Sequence, residues 1–392
     1  MADAFILSSV RSPIGKFLGE LSDLTAPQLG SAVLRETLTR AKAKPDQVDE
    51  VIMGNVVQAG VGQNPARQAA LGAGLPDTIS AVTVNKVCGS GLQAVMQAAQ
   101  AIRAGDAEFI LAGGMESMSN APHLLMGSRK GLKYGDGKLV DALVRDGLWC
   151  AFENCAMGDS AEHIATKCSV TRAEQDSFSA TSHTRAAAAW ESGAFTAEVL
   201  PYTVGSGAKA KTVSRDEGIR ADTTSESLGK LRPAFKPDGT VTAGNASQLS
   251  DGAAAVTVGS MRMAEKLGVK PLARVVAYTT SGVAPKDIFI APVPAVRMVL
   301  EKAKLTLKDI DLFELNEAFA AQMLACSKEL KLDADKVNVN GGGVAIGHPI
   351  GASGARVLTT LLYAMEKRGV KRGLASLCLG GGNAVAMVVE RV

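Results

Sequence analysis

Two kinds of apolar pattern recur along this chain. Runs that are apolar at nearly every position, such as FILAGG (109–114) and ASLCLGG (375–381), predict central strands covered by helices on both faces, since a half-wet strand would alternate polar and apolar residues. Each is preceded by a glycine-rich turn that opens an amphipathic helix, after VNKVCGSG (84–91) and after VNVNGGGVAIGHPIGASG (337–354). A first short run, Ala4 to Leu7, has Asp3 ahead of it and stops at Ser8. It predicts a strand rather than a secretion leader, which would carry a charged start and a longer apolar stretch.

The order of these elements repeats. The first half reads PDQVDEVIMGNVV (45–57), the glycine turn and its helix, then AEFILAGGMES (107–117). The second reads LKDIDLFELNEAF (307–319), a glycine turn and helix, then GLASLCLGGGNAVAMVV (373–389). Ser90-Gly91 aligns with Ser353-Gly354 at an offset of 263 (353 − 90), and Gly113-Gly114 with Gly380-Gly381 at 267 (380 − 113). Two copies of one α/β unit are expected. The stretch from about 120 to 249 belongs to neither pattern. It is rich in charge and turn residues, carries a helical segment at RAEQDSFSATSHTRAAAAW, and reads as a loop domain inserted before the strand DGAAAVTVGS (251–260) closes the first copy. The halves would run over 1–268, insertion included, and 269–392.

Composition narrows the class of molecule. With 46% hydrophobic and 21% charged residues the chain reads as an ordinary globular protein, and a net charge of +3 argues against nucleic acid as a partner. No apolar stretch reaches the roughly 20 residues that span a bilayer. Aromatics at 4% against 41 glycines favour close helix–sheet packing over a groove lined with rings. The six cysteines are scattered, which fits a reducing compartment, the cytoplasm by default. No Cys-x-x-Cys pair occurs, so Cys150, Cys155, His163 and Cys168 make a poor case for a metal site.

Four groups stand out chemically. Cys88 lies directly ahead of Gly-Ser-Gly and a helix, where the unpaired N–H groups and partial positive charge of a helix start lower a thiol pKa; a thiolate nucleophile is expected. His348 is held between Gly347 and Pro349, which suits positioning more than packing. Asn316, ahead of EAFAAQML, is a candidate helix cap and a candidate functional amide. Cys378 precedes three glycines. If the strand ends and helix starts of both copies converge on one crevice, as in open α/β sheets, the four groups meet. A Cys–His pair alone points to acyl transfer or proteolysis. A second thiol fits a reaction that also removes a proton from carbon, with the enolate oxygen held by donors. This leads to carbon–carbon bond chemistry beside a thioester.

The motifs VNKVCGSGLQAV, AGGMESMS, GTVTAGNAS, NEAFA, GGGVAIGHPIGASG and CLGGGNAVAM closely resemble those of the thiolases, from end to end. The resemblance implies a duplicated five-layered α/β/α/β/α fold with an inserted loop domain, in homodimers or homotetramers. It implies that Cys88 carries the acyl group, His348 activates it, and Cys378 moves the α-proton of acetyl-CoA. Asn316 would position a water with His348, and the N–H groups of Cys88 and Gly380 would hold the acyl oxygen. Ser247 would meet the pantetheine arm of coenzyme A and Arg220 its nucleotide end. Coenzyme A is a substrate; no cofactor or metal is implied. One residue departs from the pattern: Ala156 stands where enzymes specialised for acetoacetyl-CoA carry a histidine, which leaves open a longer or branched 3-ketoacyl chain. A decarboxylating ketoacyl synthase is disfavoured by Cys378. A non-catalytic acyl-CoA-binding or thiol redox-sensing protein is the remaining alternative.

Overall fold

A computed structural model describes residues 2–392. The strands of the core are β1 (Phe5–Arg11), β2 (Glu50–Gly54), β3 (Ser80–Val84), β4 (Phe109–Ser117), β5 (Ser250–Gly259), β6 (Ala273–Gly282), β7 (Leu312–Leu315), β8 (Arg372–Leu379) and β9 (Asn383–Glu390). They pair in the order β7-β8-β9-β6-β1-β5-β4-β2-β3. Only two residue pairs, Phe5–Arg274 and Ile6–Ala273, join β1 to β6, so the path is two sheets touching at a corner. Each copy has the same order. In the first, β3, β2 and β4 are parallel, and β5 and β1 follow antiparallel. In the second, β7 and β8 are parallel, and β9 and β6 follow antiparallel. Val337 bridges Phe313 of β7 in parallel, taking the place of β3.

The period-two alternation of side chains builds the layers. Phe5 and Leu7 of β1 pack with Val33 and Leu34 of α1 (Ala26–Arg40), while Ile6 faces the other way, onto Val95 of α3 (Ser90–Ala104) and Leu361 of α8 (Ser353–Arg368). From the second sheet, Val385, Met387 and Val389 join that same middle cluster, whereas Ala384, Ala386 and Val388 turn to Val296 and Val299 of α6 (Pro292–Ala303). Helix, sheet, helix pair, sheet, helix is the five-layered arrangement. α2 (Pro65–Gly72) thickens the first outer layer and α7 (Ala320–Leu330) the second. β4 is buried along its whole length, as a strand covered on both faces must be.

α3 and α8 can lie together because each begins with Ser-Gly. A methyl group on Gly91 would sit 2.7 Å from the Ala355 nitrogen, and one on Gly354 would sit 2.3 Å from the Leu92 nitrogen. The aligned pairs of the repeat therefore meet across its pseudo-symmetry. The glycine alignment at 267 is corrected. Asp49 caps the N–H groups of Glu108 and Phe109 (2.7 and 2.9 Å), and Asp311 caps those of Lys371 and Arg372 (3.0 and 2.8 Å). Phe109 thus corresponds to Arg372, an offset of 263 (372 − 109). Gly113 lies inside β4, where a side chain would strike the Ala254 carbonyl at 2.2 Å. Gly380 lies beyond β8, at the start of a turn whose Gly381 and Gly382 have φ of 81° and 85°. The two glycine pairs answer different steric demands and are not equivalent.

That turn is where the copies part. Gly380–Gly382 joins β8 to β9 directly, whereas residues 118–249 separate β4 from β5. The insertion holds α4 (Met157–Lys167), α5 (Arg172–Glu191) and several short hairpins. It is pinned by Arg11 at the end of β1, fully buried, whose guanidinium donates to Glu198 (2.5 Å) and to both oxygens of Asp216 (2.6 and 3.0 Å). Among the described residues, no helix is long and apolar enough to cross a membrane.

Candidate active site

Cys88 sits on a strained turn between β3 and α3. Val87 before it has φ of 48°, a left-handed conformation that β-branched residues rarely adopt. The turn is held by its neighbours. Ser90 Oγ accepts the Lys86 N–H (2.8 Å) and donates to the Val87 carbonyl (2.6 Å), and Asn85 Oδ1 accepts the Val87 N–H (3.0 Å). Gly89 is needed because a methyl there would lie 2.4 Å from the Leu379 side chain, at the end of β8. The elbow is thus pressed against the second copy, and the N–H groups of Cys88 and Gly380 both point at the Cys88 sulfur.

The second copy supplies the other groups. His348 lies on the turn between the short helix Gly343–Ile346 and α8. Ser353 Oγ gives its one hydrogen to the Pro349 carbonyl (2.8 Å) and so accepts from His348 Nδ1 (2.6 Å), which leaves the lone pair on Nε2. Asn316 Nδ2 approaches that Nε2 at 3.3 Å, and its Oδ1 is buried without a partner. Asn316 caps no helix: α7 begins at Ala320 with Phe319 at its cap, and Asn316 continues β7, its N–H donating to the Ser376 carbonyl (3.0 Å). Its neighbour Glu317 accepts from Ser182 Oγ (2.7 Å), Asn338 Nδ2 (2.9 Å) and the Val344 N–H (3.1 Å), which fixes this strand end to α5 and to the His348 segment. Cys378 lies within β8, one residue before its end, rather than after it.

Cys88, His348, Cys378 and Gly380 line one cavity of about 340 Å³, together with Ser247 and Ala156. Asn316 reaches it through His348. Arg220 does not line it: it is exposed, and its N–H and guanidinium lie 3.1 and 3.0 Å from the ring nitrogens of buried His183. Nor is the cavity free of rings. Phe235, Phe289 and Phe319 line it in edge-to-face contact, so few aromatics in the chain did not mean few at the site. His163 pairs with Asp287 (3.0 Å), and Cys326 donates to the Phe289 carbonyl (3.2 Å). Sequence reasoning missed Ser353 and Glu317. Ser353 was visible only as part of the repeat, and Glu317 only as a neighbour of Asn316.

The electrostatics reverse one expectation. Burial pushes the Cys88 thiol up to about 12, and the two N–H groups at its sulfur oppose this without overcoming it. The surroundings favour the thiol over the thiolate: Cys88 is only partly covered, yet the apolar wall beside it weighs against charge more than the helix start favours it. Burial also raises Cys378, and a charge on Cys88 would raise it further. His348 is held down at about 3 by burial and by the positive charge of Arg356, so its imidazole is neutral and Nε2, which Asn316 Nδ2 faces, keeps the lone pair of a base. A neutral acid facing a neutral base in an apolar cavity moves a proton only when a reacting group draws it.

The comparisons with known proteins now bear on this geometry. The family model "Thiolase, N-terminal domain" matches residues 4–262, and "Thiolase, C-terminal domain" matches residues 269–391. The chain belongs to the thiolase family. An acetyl-CoA acetyltransferase of Cupriavidus necator is 52% identical to this thiolase over 395 residues, covering all of both chains. One of Escherichia coli (strain K12) is 53% identical over 393 residues, again covering both completely. Among solved structures, the Bacillus anthracis acetyl-CoA acetyltransferase superposes with a TM-score of 0.98 at 45% identity, covering 100% of this chain and 99% of that one. None of these relatives is named for a longer or branched acyl chain, so they lend no support to that reading of Ala156.

Proposed function

We propose that this thiolase is an acetyl-CoA acetyltransferase, which joins two acetyl-CoA into acetoacetyl-CoA and free coenzyme A and runs the reverse cleavage. The observation that carries the reading is the convergence of two thiols, a neutral imidazole and the Gly380 N–H on one apolar cavity. As acetyl-CoA enters, His348 Nε2 takes the Cys88 proton while the sulfur attacks the thioester carbonyl. The departing coenzyme A sulfur takes its proton from Cys378, which is left a thiolate, and the acetyl group stays on Cys88. The N–H groups now pointing at the sulfur are placed to donate to the acyl oxygen. A second acetyl-CoA then loses its α-proton to the Cys378 thiolate, its carbon attacks the acetyl-enzyme, and the released Cys88 sulfur recovers its proton from His348. Asn316, with a free buried Oδ1 beside His348, supports a water that donates to the enolate oxygen.

The steps draw on side chains, backbone N–H groups, one water and coenzyme A with its esters. Ser247, on the cavity wall, is taken to meet the pantetheine arm. Arg220, exposed outside it, is taken to meet the nucleotide end. We take the chain to act as a homo-oligomer; exposed Met126, Leu132, Tyr134 and Leu139, ahead of the cavity segment, support an apolar contact between copies.

The test is to mix the protein with acetyl-CoA, quench in acid and map the added acetyl mass by peptide mass spectrometry. Acetyl on the Cys88 peptide, removed by free coenzyme A, is expected. A folded, reduced protein that takes up no acetyl group would overturn the reading in favour of a binding protein.

A further inference from the structure

One motif takes no part in the chemistry above, AGGMES (112–117). Its Glu116, near the end of β4, is fully buried, and among the described residues no cation pairs with it. Its carboxylate instead accepts four N–H groups from two other parts of the chain. Oε2 takes the Gly351 N–H (2.8 Å) and the Val56 N–H (3.1 Å). Oε1 takes the Asn55 side-chain amide (2.7 Å) and the Val57 N–H (3.2 Å). Gly351 belongs to the second copy, three residues after His348 and two before Ser353. The fit there is tight: a methyl on Gly351 would lie 2.8 Å from Glu116 Oε2 and 2.7 Å from the Met115 carbonyl, and one on Gly114 would lie 2.1 Å from the Gly351 carbonyl.

We propose that Glu116 is a positioning residue that clamps the His348 turn of the second copy onto the first, holding the imidazole in place for Cys88. The inference rests on the thiolase reading, but the contact it names is independent of it. Burial pushes the Glu116 carboxyl up to about 8 against the pull of the N–H groups at its oxygens; with donors on both oxygens it is hard to replace. Any uncharged substitute that keeps the volume turns an N–H against another N–H, and the turn it holds must shift. Because Ser353 and Pro349 orient the ring from the same turn, a shift displaces Nε2 bodily rather than rotating it. A displacement near 1 Å costs about 100-fold in rate when it misplaces a catalytic group.

The test compares Glu116→Gln, Gly351→Ala and Asp49→Asn. Asp49 caps the far end of the same strand, so its loss weakens β4 without touching the His348 turn. The first two variants are expected to lose about 10- to 100-fold in kcat for acetoacetyl-CoA cleavage, with KM changed by less than about threefold. They should lose as much in the rate of Cys88 alkylation by iodoacetamide, which reports on the Cys88–His348 pair without any coenzyme A ester. Asp49→Asn should lower the melting temperature and leave both rates, per folded molecule, unchanged. Wild-type rates in folded Glu116→Gln, or in Gly351→Ala should the first not fold, overturn the proposal. A wild-type protein that alkylates quickly but is never acetylated by acetyl-CoA would instead sink the thiolase reading.

Discussion

The two copies share a framework and divide the chemistry. Both use an aspartate, Asp49 or Asp311, to start the corresponding strand, and both open the central helix with Ser-Gly. The first contributes Cys88 on a strained elbow. The second contributes His348, Asn316 and Cys378 and a link of only three glycines between β8 and β9. Where the second copy spends three glycines, the first inserts a whole substrate-side region that provides Ala156, Met157, Phe235 and Ser247 to the cavity. Duplication therefore accounts for the layers, and the site arises from the places where the copies stopped matching.

The division of labour is broken most severely at the two thiols. Cys88→Ala is expected to cost more than about a thousand-fold in kcat in both directions and to leave no acetyl-peptide. Cys378→Ala should reduce condensation about as much, yet still become acetylated on Cys88. Loss of acetylation in both would mean that the roles are not divided as the copies suggest. The next largest effect tests whether the insertion is part of the frame. Glu198→Ala leaves the buried Arg11 guanidinium short of a partner and should cost about 3–5 kcal/mol in denaturant unfolding. A cost near zero would mean that the inserted region folds apart from β1.

The symmetric contact itself can be probed with a methyl group. Gly354→Ala and Gly91→Ala each force an added carbon against backbone of the other helix and should cost about 1–3 kcal/mol, with Gly354→Ala the worse because its contact is closer. Equal stability to wild type in thermal melts would show that the helices can move apart. The smallest expected effect is on acid stability. His348 binds its proton at about 3 when folded and near 6.5 when unfolded. The unfolded chain therefore holds more protons between those values, and this group lowers stability as pH falls through that window. His348→Asn removes the contribution, so acid unfolding followed by circular dichroism should move to lower pH. An unchanged midpoint would mean that the ring titrates in the fold as it does in the unfolded chain.

Much of this was legible in the residues. Runs such as FILAGG required covered strands, because an apolar strand has no stable wet face. The repeat of glycine turn and helix was readable at Ser90 and Ser353 since only small residues let two helices approach so closely. It misled at Gly113 and Gly380, because glycine appears wherever space or φ is short and its identity does not say which. The aspartates, whose side chains do one thing at a strand start, carried the true register.

What the sequence determined by itself is therefore local and combinatorial: which segments are strands and helices, that the unit occurs twice, and which few groups can perform acyl and proton transfer. Tertiary structure alone decided their state and their company. Cys88 stands at a helix start, which by itself favours a thiolate, yet apolar residues of the second copy cover part of it and favour a thiol beside a neutral imidazole. Arg220 and Phe235 were sorted into exposed and cavity positions by the path of the insertion, while Phe289 and Phe319 reach the cavity from the second copy. Glu116 was set against the turn that carries His348 by the meeting of strands more than two hundred residues apart. Burial and long-range hydrogen bonding depend on which surfaces meet, and no local pattern encodes that.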